Sequence, residues 1–169
     1  MMRTLQSKHL LLRPLTFNEL LSLQNNELGS LEIFIEAEAL SDSIQSAIAK
    51  KIENMKIVSA EVHQWYTYWL IMDKANGKGI GFIGFKGFSD EDSYLEVGYS
   101  ISPNYRKRGF MTEALEALVN YAHTFESIKG ITAKNVLKNN YGSIKVLNNC
   151  NFKLVGCTNE KYSYLLKFE

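Results

Sequence analysis

The stretch that decides the fold runs Glu96-Val97-Gly98-Tyr99-Ser100-Ile101-Ser102-Pro103-Asn104-Tyr105-Arg106-Lys107-Arg108-Gly109-Phe110-Met111-Thr112-Glu113-Ala114. Its first part belongs to a strand over Tyr94–Ile101. Leu95, Val97, Tyr99 and Ile101 point one way and Glu96, Gly98 and Ser100 the other, the period of two that a pleated strand imposes. Its last part opens a helix over 110–126, with Met111, Leu115, Leu118, Val119 and Ala122 as an apolar stripe. Between them stand Arg106, Lys107, Arg108 and Gly109. A helix N-terminus carries unpaired N–H groups and the positive end of the helix dipole, so it attracts anions. Glycine at that point admits positive φ and lets a ligand approach the backbone. Strand, basic loop and bare helix start together describe a pyrophosphate cradle. A lone R-x-x-G match more often marks a solvated basic turn, so the rest of the chain has to decide. Two other phosphate-binding patterns are expected to be absent: G-x-x-x-x-G-K-[ST], and a G-x-G-x-x-G following a strand.

Working outward, Gly79 to Phe88 reads as a strand in which Gly81 and Gly84 mark a bulge or a close backbone approach. Tyr66 to Ile71 is an aromatic-rich strand, and Asn76-Gly77 is a hairpin turn between the two. Ser89 to Ser93 is an acidic turn. Downstream, Ile131 to Val136 reads as a strand introduced by Gly130, Gly142 to Asn149 as a short helix, and residues 153–158 and 162–168 as a closing hairpin. At the other end, residues 4–13 form a strand that stops at Arg13-Pro14. Thr16 caps a helix over Phe17–Gln24, with Glu19 completing a capping box. Residues 31–58 read as helical: Ile44, Ala47, Ile48 and Ile52 recur at helical spacing, and Ser41 or Asp42 caps the second half. A meander of strands followed by alternating helices and strands gives an α/β chain with a mixed sheet and helices on both faces.

Composition bounds the function. A chain of 169 residues is one domain's worth. A domain of that size buries roughly 70% of the surface its unfolded chain exposes, enough to fold without disulfide staples. Nineteen basic against 18 acidic residues leave a net charge of +1, which removes any bulk electrostatic case for nucleic acid or a membrane surface. Cys150 and Cys157 form no C-x-x-C, and no H-x-x-x-H occurs, so neither a metal site nor a disulfide scaffold is expected. Leu10-Leu11-Leu12 is cut by Arg13-Pro14, unlike a signal peptide. The apolar run Val62–Met72, interrupted by His63, is too short to span a bilayer. The expectation is a soluble cytoplasmic protein with reduced thiols.

With these elements in place, the chain resembles the GNAT superfamily of N-acetyltransferases. In that family a loop of the form [QR]-x-x-G-x-[GA] holds the pyrophosphate of coenzyme A. Here it reads Arg106-Lys107-Arg108-Gly109-Phe110-Met111, with methionine where glycine or alanine is usual, so that corner should be more crowded. The opening Ser7-Lys8-His9-Leu10-Leu11-Leu12-Arg13-Pro14-Leu15-Thr16 and the strand Gly79-Ile80-Gly81-Phe82-Ile83-Gly84 are similar to the branch containing the Rim-type ribosomal-protein N-terminal acetyltransferases. Asn140-Tyr141-Gly142-Ser143 and Phe152 match the family's N-x-x-[SA] helix and its following phenylalanine, although the usual glycine before that phenylalanine is Asn151. The resemblance covers nearly the whole chain. It implies a single GNAT domain over 1–169, built on a mixed, mostly antiparallel sheet of about seven strands with helices on both faces.

It also implies a chemistry: direct attack of a primary amine on the thioester of acetyl-CoA, through a tetrahedral intermediate, with no metal. Tyr99, Ser100 and Ile101 should pair with the pantetheine arm like an added strand. Residues Arg106, Lys107, Arg108, Gly109, Phe110, Met111 and Thr112, with Asn140 and Ser143, complete the cofactor site. The acceptor amine must lose a proton. Glu96 is the candidate base, with a carboxylate satisfied by a neighbouring backbone group or cation as the equal alternative; Glu160 is a weaker candidate. For the leaving thiolate, the tyrosine that many relatives place seven residues after the asparagine is Leu147 here. Ser143 is the candidate donor, its alternative being a helix-capping role, and Tyr141 stands beside it. His9, His63 and His123 receive no chemical role, and Trp65, Tyr66, Tyr68 and Trp69 read as strand core. The competing class is a non-catalytic CoA-binding or sensor module, motivated by Leu147.

The acceptor is a protein N-terminus or a small amine. From Pro14 to Ala49 there is no lysine or arginine, while Glu19, Glu27, Glu32, Glu36, Glu38 and Asp42 are all present. In the family this helical region borders the acceptor, so an acidic wall there would draw a cationic amine; the bland alternative is a solvated helix face. The protein is expected as a monomer or homodimer.

Overall fold

The computed structural model describes residues 2–88 and 93–169, so the expected acidic turn at 89–93 lies almost wholly outside the described residues. In chain order the strands are β1 (Leu5–Gln6), β2 (Leu10–Pro14), β3 (Tyr68–Asp73), β4 (Gly79–Phe88), β5 (Tyr94–Ile101), β6 (Gly130–Leu137), β7 (Lys153–Cys157) and β8 (Lys161–Lys167). The helices are α1 (Phe17–Gln24), α2 (Asp42–Lys56), α3 (Phe110–His123) and α4 (Tyr141–Asn149). The strands form one sheet in the order β1-β2-β3-β4-β5-β6-β8-β7. Neighbours are antiparallel except β5 and β6, which run parallel.

Strand alternation sorts the core into two layers. Leu10, Leu12, Trp69, Ile71, Ile83, Phe85, Leu95 and Val97 pack against Met111, Leu115 and Leu118 of α3 and Leu147 of α4. Tyr68, Leu70 and Phe82 pack on the other face against Leu20 and Leu23 of α1 and Ile44, Ile48 and Ile52 of α2. Trp69, Phe82 and Phe85 are wholly excluded from solvent; burying a large side chain of this kind contributes roughly 1.5–3 kcal/mol. The sheet therefore sits between two helical layers, as the sequence pattern implied, and the aromatics Trp65, Tyr68 and Trp69 are core.

Three boundaries differ from the sequence reading. The first strand is two, folded back at Ser7–His9, which brings the sheet to eight strands among the described residues. The helix expected over 31–58 is confined to Asp42–Lys56, capped by Ser41. Ahead of it the chain makes short 3₁₀ turns at Leu28–Leu31 and Ala37–Ala39. Long-range pairing wins over local helical spacing there: Ile35 bridges Gly79, with Gly79 N–H donating to Phe34 O and Glu36 N–H to Gly79 O, both at 2.8 Å. Finally, β3 starts at Tyr68 because Ala60–Trp65 is a 3₁₀ helix.

Other expectations hold in detail. Thr16 and Glu19 close the capping box of α1. Gly81 and Gly84 are close approaches: a Cβ on Gly84 would lie 2.3 Å from the Thr67 carbonyl oxygen. Gly79–Gly84 does spell G-x-G-x-x-G, but it lies inside β4 and opens no helix, so it carries no dinucleotide site.

Candidate active site

The site begins where two strands part. The parallel pairing of β5 with β6 runs only from Tyr94, Leu95 and Glu96 to Gly130, Ile131 and Thr132. Beyond that point β5 stays with β4, up to Ile101 on Gly81, while β6 follows β8. The strands diverge into a wedge whose open end carries the loop into α3 on one side and the start of α4 on the other. Backbone groups of Tyr99, Ser100 and Ile101 line the β5 side of this opening.

The loop is shaped from within. Ser102 is fully buried and its Oγ accepts from Asn104 N–H at 3.4 Å, turning Pro103–Tyr105 into one 3₁₀ turn. Lys107 has φ +63 and Gly109 φ +78, and Gly109 is the N-cap of α3 with no side chain capping the helix. The first intrahelical bond runs from Glu113 N–H to Gly109 O at 3.1 Å, so Phe110, Met111 and Thr112 precede the intrahelical ladder. A Cβ on Gly109 would meet nothing within 4 Å. The helix start faces open space, with the strain of a side chain there coming from φ alone. Arg106, Lys107 and Arg108 are exposed around it. Arg108 folds back, donating to Asn104 O at 3.2 Å with its guanidinium 5.2 Å from the Tyr105 ring. Met111 does not crowd the loop: it is buried in the core below it. Bare N–H groups, an open approach and three cations suit a diphosphate.

One clamp on this helix was absent from the sequence reading. Glu113 accepts from His9 N–H at 2.9 Å, His9 Nδ1 at 2.8 Å and the Ser7 hydroxyl. Burial alone would raise this carboxyl, but the hydrogen bonds from Ser7 and His9 outweigh it and hold Glu113 below the usual carboxylate range. The β1–β2 turn is thereby tied to the first turn of α3.

Inside the wedge two hydroxyls meet. Tyr99 Oη lies 2.9 Å from Ser143 Oγ, bridging β5 to α4. Burial pushes the Tyr99 phenol up to about 12, against a smaller opposing effect of the Ser143 hydrogen bond. Asn140 caps α4, its Oδ1 accepting from Ser143 N–H at 3.2 Å. The capping role that was the alternative for Ser143 belongs to Asn140, and the serine hydroxyl projects to Tyr99. Tyr141 is 77% exposed and Leu147 is fully buried. Tyr99 entered the sequence reading only through its backbone; strand alternation places a side chain on a face but does not show that its hydroxyl reaches a helix.

Glu96 stands at the apex of the wedge on the opposite face from Leu95 and Val97. Its Oε2 accepts from Lys86 Nζ at 2.7 Å. The neighbouring cation foreseen as an alternative is therefore present, and Lys86 is itself 55% exposed. Beside the pair, a Cβ on Gly98 would touch only Lys86 Cε at 3.4 Å, leaving room over the strand. Glu160 is exposed in the β7–β8 turn. Of the expected acidic wall, Glu19 is held by Arg13 at 2.6 Å, and Glu36 by the Tyr105 hydroxyl at 3.2 Å and Lys78 at 3.7 Å; Glu27, Glu32, Glu38 and Asp42 are exposed. Among the described residues no group of three His, Cys, Asp or Glu is arranged to hold a metal ion, and no helix is long and apolar enough to cross a membrane.

A sheet parted between two parallel strands, with a bare helix start and a basic loop at its open end, is the architecture of an acyl-CoA-dependent N-acetyltransferase. The chain belongs to the acetyltransferase (GNAT) domain family, whose model matches residues 9–153. It is 35% identical over 86 residues to the uncharacterized N-acetyltransferase YjdG of Bacillus subtilis (strain 168), a match covering 51% of each chain. It is also 35% identical over 86 residues to the uncharacterized N-acetyltransferase p20 of Bacillus licheniformis, covering 51% of this chain and 48% of the relative. The matched stretch thus spans about half the length of these curated relatives. Among solved structures, the fold is similar to RimL, a ribosomal L7/L12 alpha-N-protein acetyltransferase in complex with coenzyme A, at a TM-score of 0.70 and 18% identity over 98% of both chains. It is likewise similar to the microcin C7 self-immunity acetyltransferase MccE in complex with acetyl-CoA and AMP, at a TM-score of 0.63 and 16% identity over 96% of this chain and 94% of that one.

Proposed function

We propose that this protein transfers the acetyl group of acetyl-CoA to a primary amine, and that it works as a Rim-type enzyme on a peptide N-terminus or a small amine. The observation that carries this reading is the wedge itself: an open slot between β5 and β6 that leads to the uncapped start of α3 at Gly109. A diphosphate fits that helix start, with Arg106 and Lys107 adding charge and Phe110, Met111 and Thr112 offering N–H groups. A pantetheine arm fits the slot, paired to the backbone of Tyr99, Ser100 and Ile101 as an added strand. When bound, acetyl-CoA supplies the activated acetyl thioester; the chain supplies alignment and proton handling. The Ser143 and Tyr99 hydroxyls face the slot where a leaving thiolate gains from a hydrogen bond, and Asn140 fixes the turn that presents Ser143. On the other face Glu96, beside the room left by Gly98, takes up the acceptor's proton directly or through water. The kinship in fold with RimL over 98% of the chain supports the ribosomal-protein branch. Residues 1–169 would act as one cytoplasmic domain, monomeric or homodimeric.

The experiment is a thiol-release assay with acetyl-CoA over a panel of N-terminal peptides and small amines. The expected outcome is turnover with at least one acceptor class, with Gly109→Val weakening CoA binding roughly 10-fold because the β-branched residue resists φ > 0 and fills the approach. Saturable CoA binding with no turnover on a broad panel would make the protein a CoA sensor. CoA affinity unchanged in Gly109→Val would remove the cradle.

A further inference from the structure

On the α2 face of the sheet one side chain is out of keeping with its neighbours. Lys51 is 6% exposed, on the stripe of α2 that otherwise buries Ile44, Ile48, Ile52 and Met55. Its Nζ donates to Phe85 O at 2.8 Å and to Tyr66 O at 3.3 Å, and lies 4.4 Å from the centre of the Tyr68 ring. The Phe85 carbonyl stands where the β4–β5 ladder breaks, its register shifting between Phe85 and Phe88. Gly87 makes the break possible: it has φ +92, and a Cβ there would lie 2.3 Å from Tyr66 Cε1. A bulge of this kind re-aims the side chain within it. That side chain is Lys86, and it meets Glu96 at 2.7 Å. The titratable groups facing Lys51 are Tyr68 from β3, Lys86 from β4 and Glu96 from β5. An amine kept out of water is a cost to folding, and an apolar residue would suit this stripe of α2 better.

We propose that Lys51 is a positioning residue for amine acceptance: through the Phe85 carbonyl it fixes the bulge that aims Lys86 at Glu96. The inference rests on the reading of Glu96 as the acceptor-face carboxylate. Burial, reinforced by Lys86, lowers the Lys51 amine to about 7, with Glu96 pulling the other way. Below that pH Lys51 is an ammonium group, and its bond to the Phe85 carbonyl is charge-assisted. Above it Lys51 is neutral, and the bond to Phe85 persists in a weaker, uncharged form because a neutral amine still donates.

The test compares wild type with Lys51→Met and Lys86→Met, using one amine acceptor between about pH 5.5 and 9, so that the acceptor's own ionisation cancels in the ratio. The wild-type to Lys51→Met ratio of kcat/KM should change several-fold across pH 7, where Lys51 changes charge, with acetyl-CoA affinity unchanged and Tm no lower. In protein carrying 13C-labelled lysine, the Lys51 resonance should titrate near pH 7 in wild type and higher in Lys86→Met, where the repulsion is gone. A ratio that is flat with pH, or a Lys51 resonance titrating with ordinary lysines, overturns the proposal. If Lys51→Met does not fold, the resonance in wild type and Lys86→Met decides alone. If wild type transfers no acetyl group, the acetyltransferase reading fails, and the same titration still scores the coupling between Lys51 and Lys86.

Discussion

Ser143 and Tyr99 come from elements separated by α3 and β6, and their oxygens meet at 2.9 Å in the slot between β5 and α4. With the Tyr99 phenol raised to about 12, the pair keeps its protons at working pH and is a donor, not a base. A donor aimed at developing charge raises kcat more than it tightens ground-state binding. Ser143→Ala and Tyr99→Phe should therefore each lower kcat, roughly 10-fold, with little change in the Kd for acetyl-CoA. Because the two act as one unit, the double variant should lose about as much as the worse single one. Steady-state kinetics with CoA titrations check this; additive losses, or a matched loss of CoA affinity, would place the pair in structure rather than catalysis. At this scale part of the candidate site's geometry was legible in the sequence. Gly109, Asn140 and Ser143 were legible because a motif fixes their spacing. The Tyr99 hydroxyl and the Lys86 partner of Glu96 were not, since one depends on where α4 docks and the other on a bulge that no local pattern announces.

Between elements, the clamp of Glu113 on Ser7 and His9 joins the β1–β2 turn to the helix that starts at the cradle. A carboxyl whose pKa is depressed in the folded state contributes stability that is present above its unfolded pKa. That stability is lost as pH falls through the folded value. For Glu113 the direction is downward, so the clamp should hold at neutral pH and release on the acid side. Thermal unfolding followed from about pH 7 to 3 should show a smaller acid loss in Glu113→Gln than in wild type. Parallel curves would mean that the clamp contributes nothing. Strands β4 and β5, the capped α1 and the cores of α2 and α3 were readable because period and caps are local. Residues 31–41 were misread as helix because Ile35 finds its partner at Gly79, far along the chain. The split of the first strand had a similar cause: Ser7 and His9 turn back toward a carboxylate on α3.

Across the whole molecule, a net charge of +1 hides a polarised distribution. The basic loop Arg106–Arg108 stands at the start of α3, and the segment from Pro14 to Ala49 holds six carboxylates and no lysine or arginine. The structure divides those six. Glu19 is spent on Arg13 and the α1 cap, and Glu36 on Tyr105 and Lys78, next to the cradle. Glu27, Glu32, Glu38 and Asp42 remain exposed, and of these Glu32 and Glu38 flank the strand-like bridge at Ile35. Exposed charges act on encounter more than on final affinity, and salt screens them over a Debye length of ~8–10 Å. If this segment borders the acceptor, kcat/KM should be several-fold higher for peptides with basic residues after the N-terminus, or for polycationic amines, than for neutral amines of the same size, and the gap should close as salt is raised. Glu32→Lys with Glu38→Lys should abolish the preference and leave acetyl-CoA binding intact. Glu36→Ala should behave differently, disturbing CoA binding as well, because it removes the acceptor of the Tyr105 hydroxyl one residue before Arg106. Kinetics that are independent of salt, or equal rates on matched cationic and neutral acceptors, would make Glu32 and Glu38 solvated surface with no part in acceptor choice.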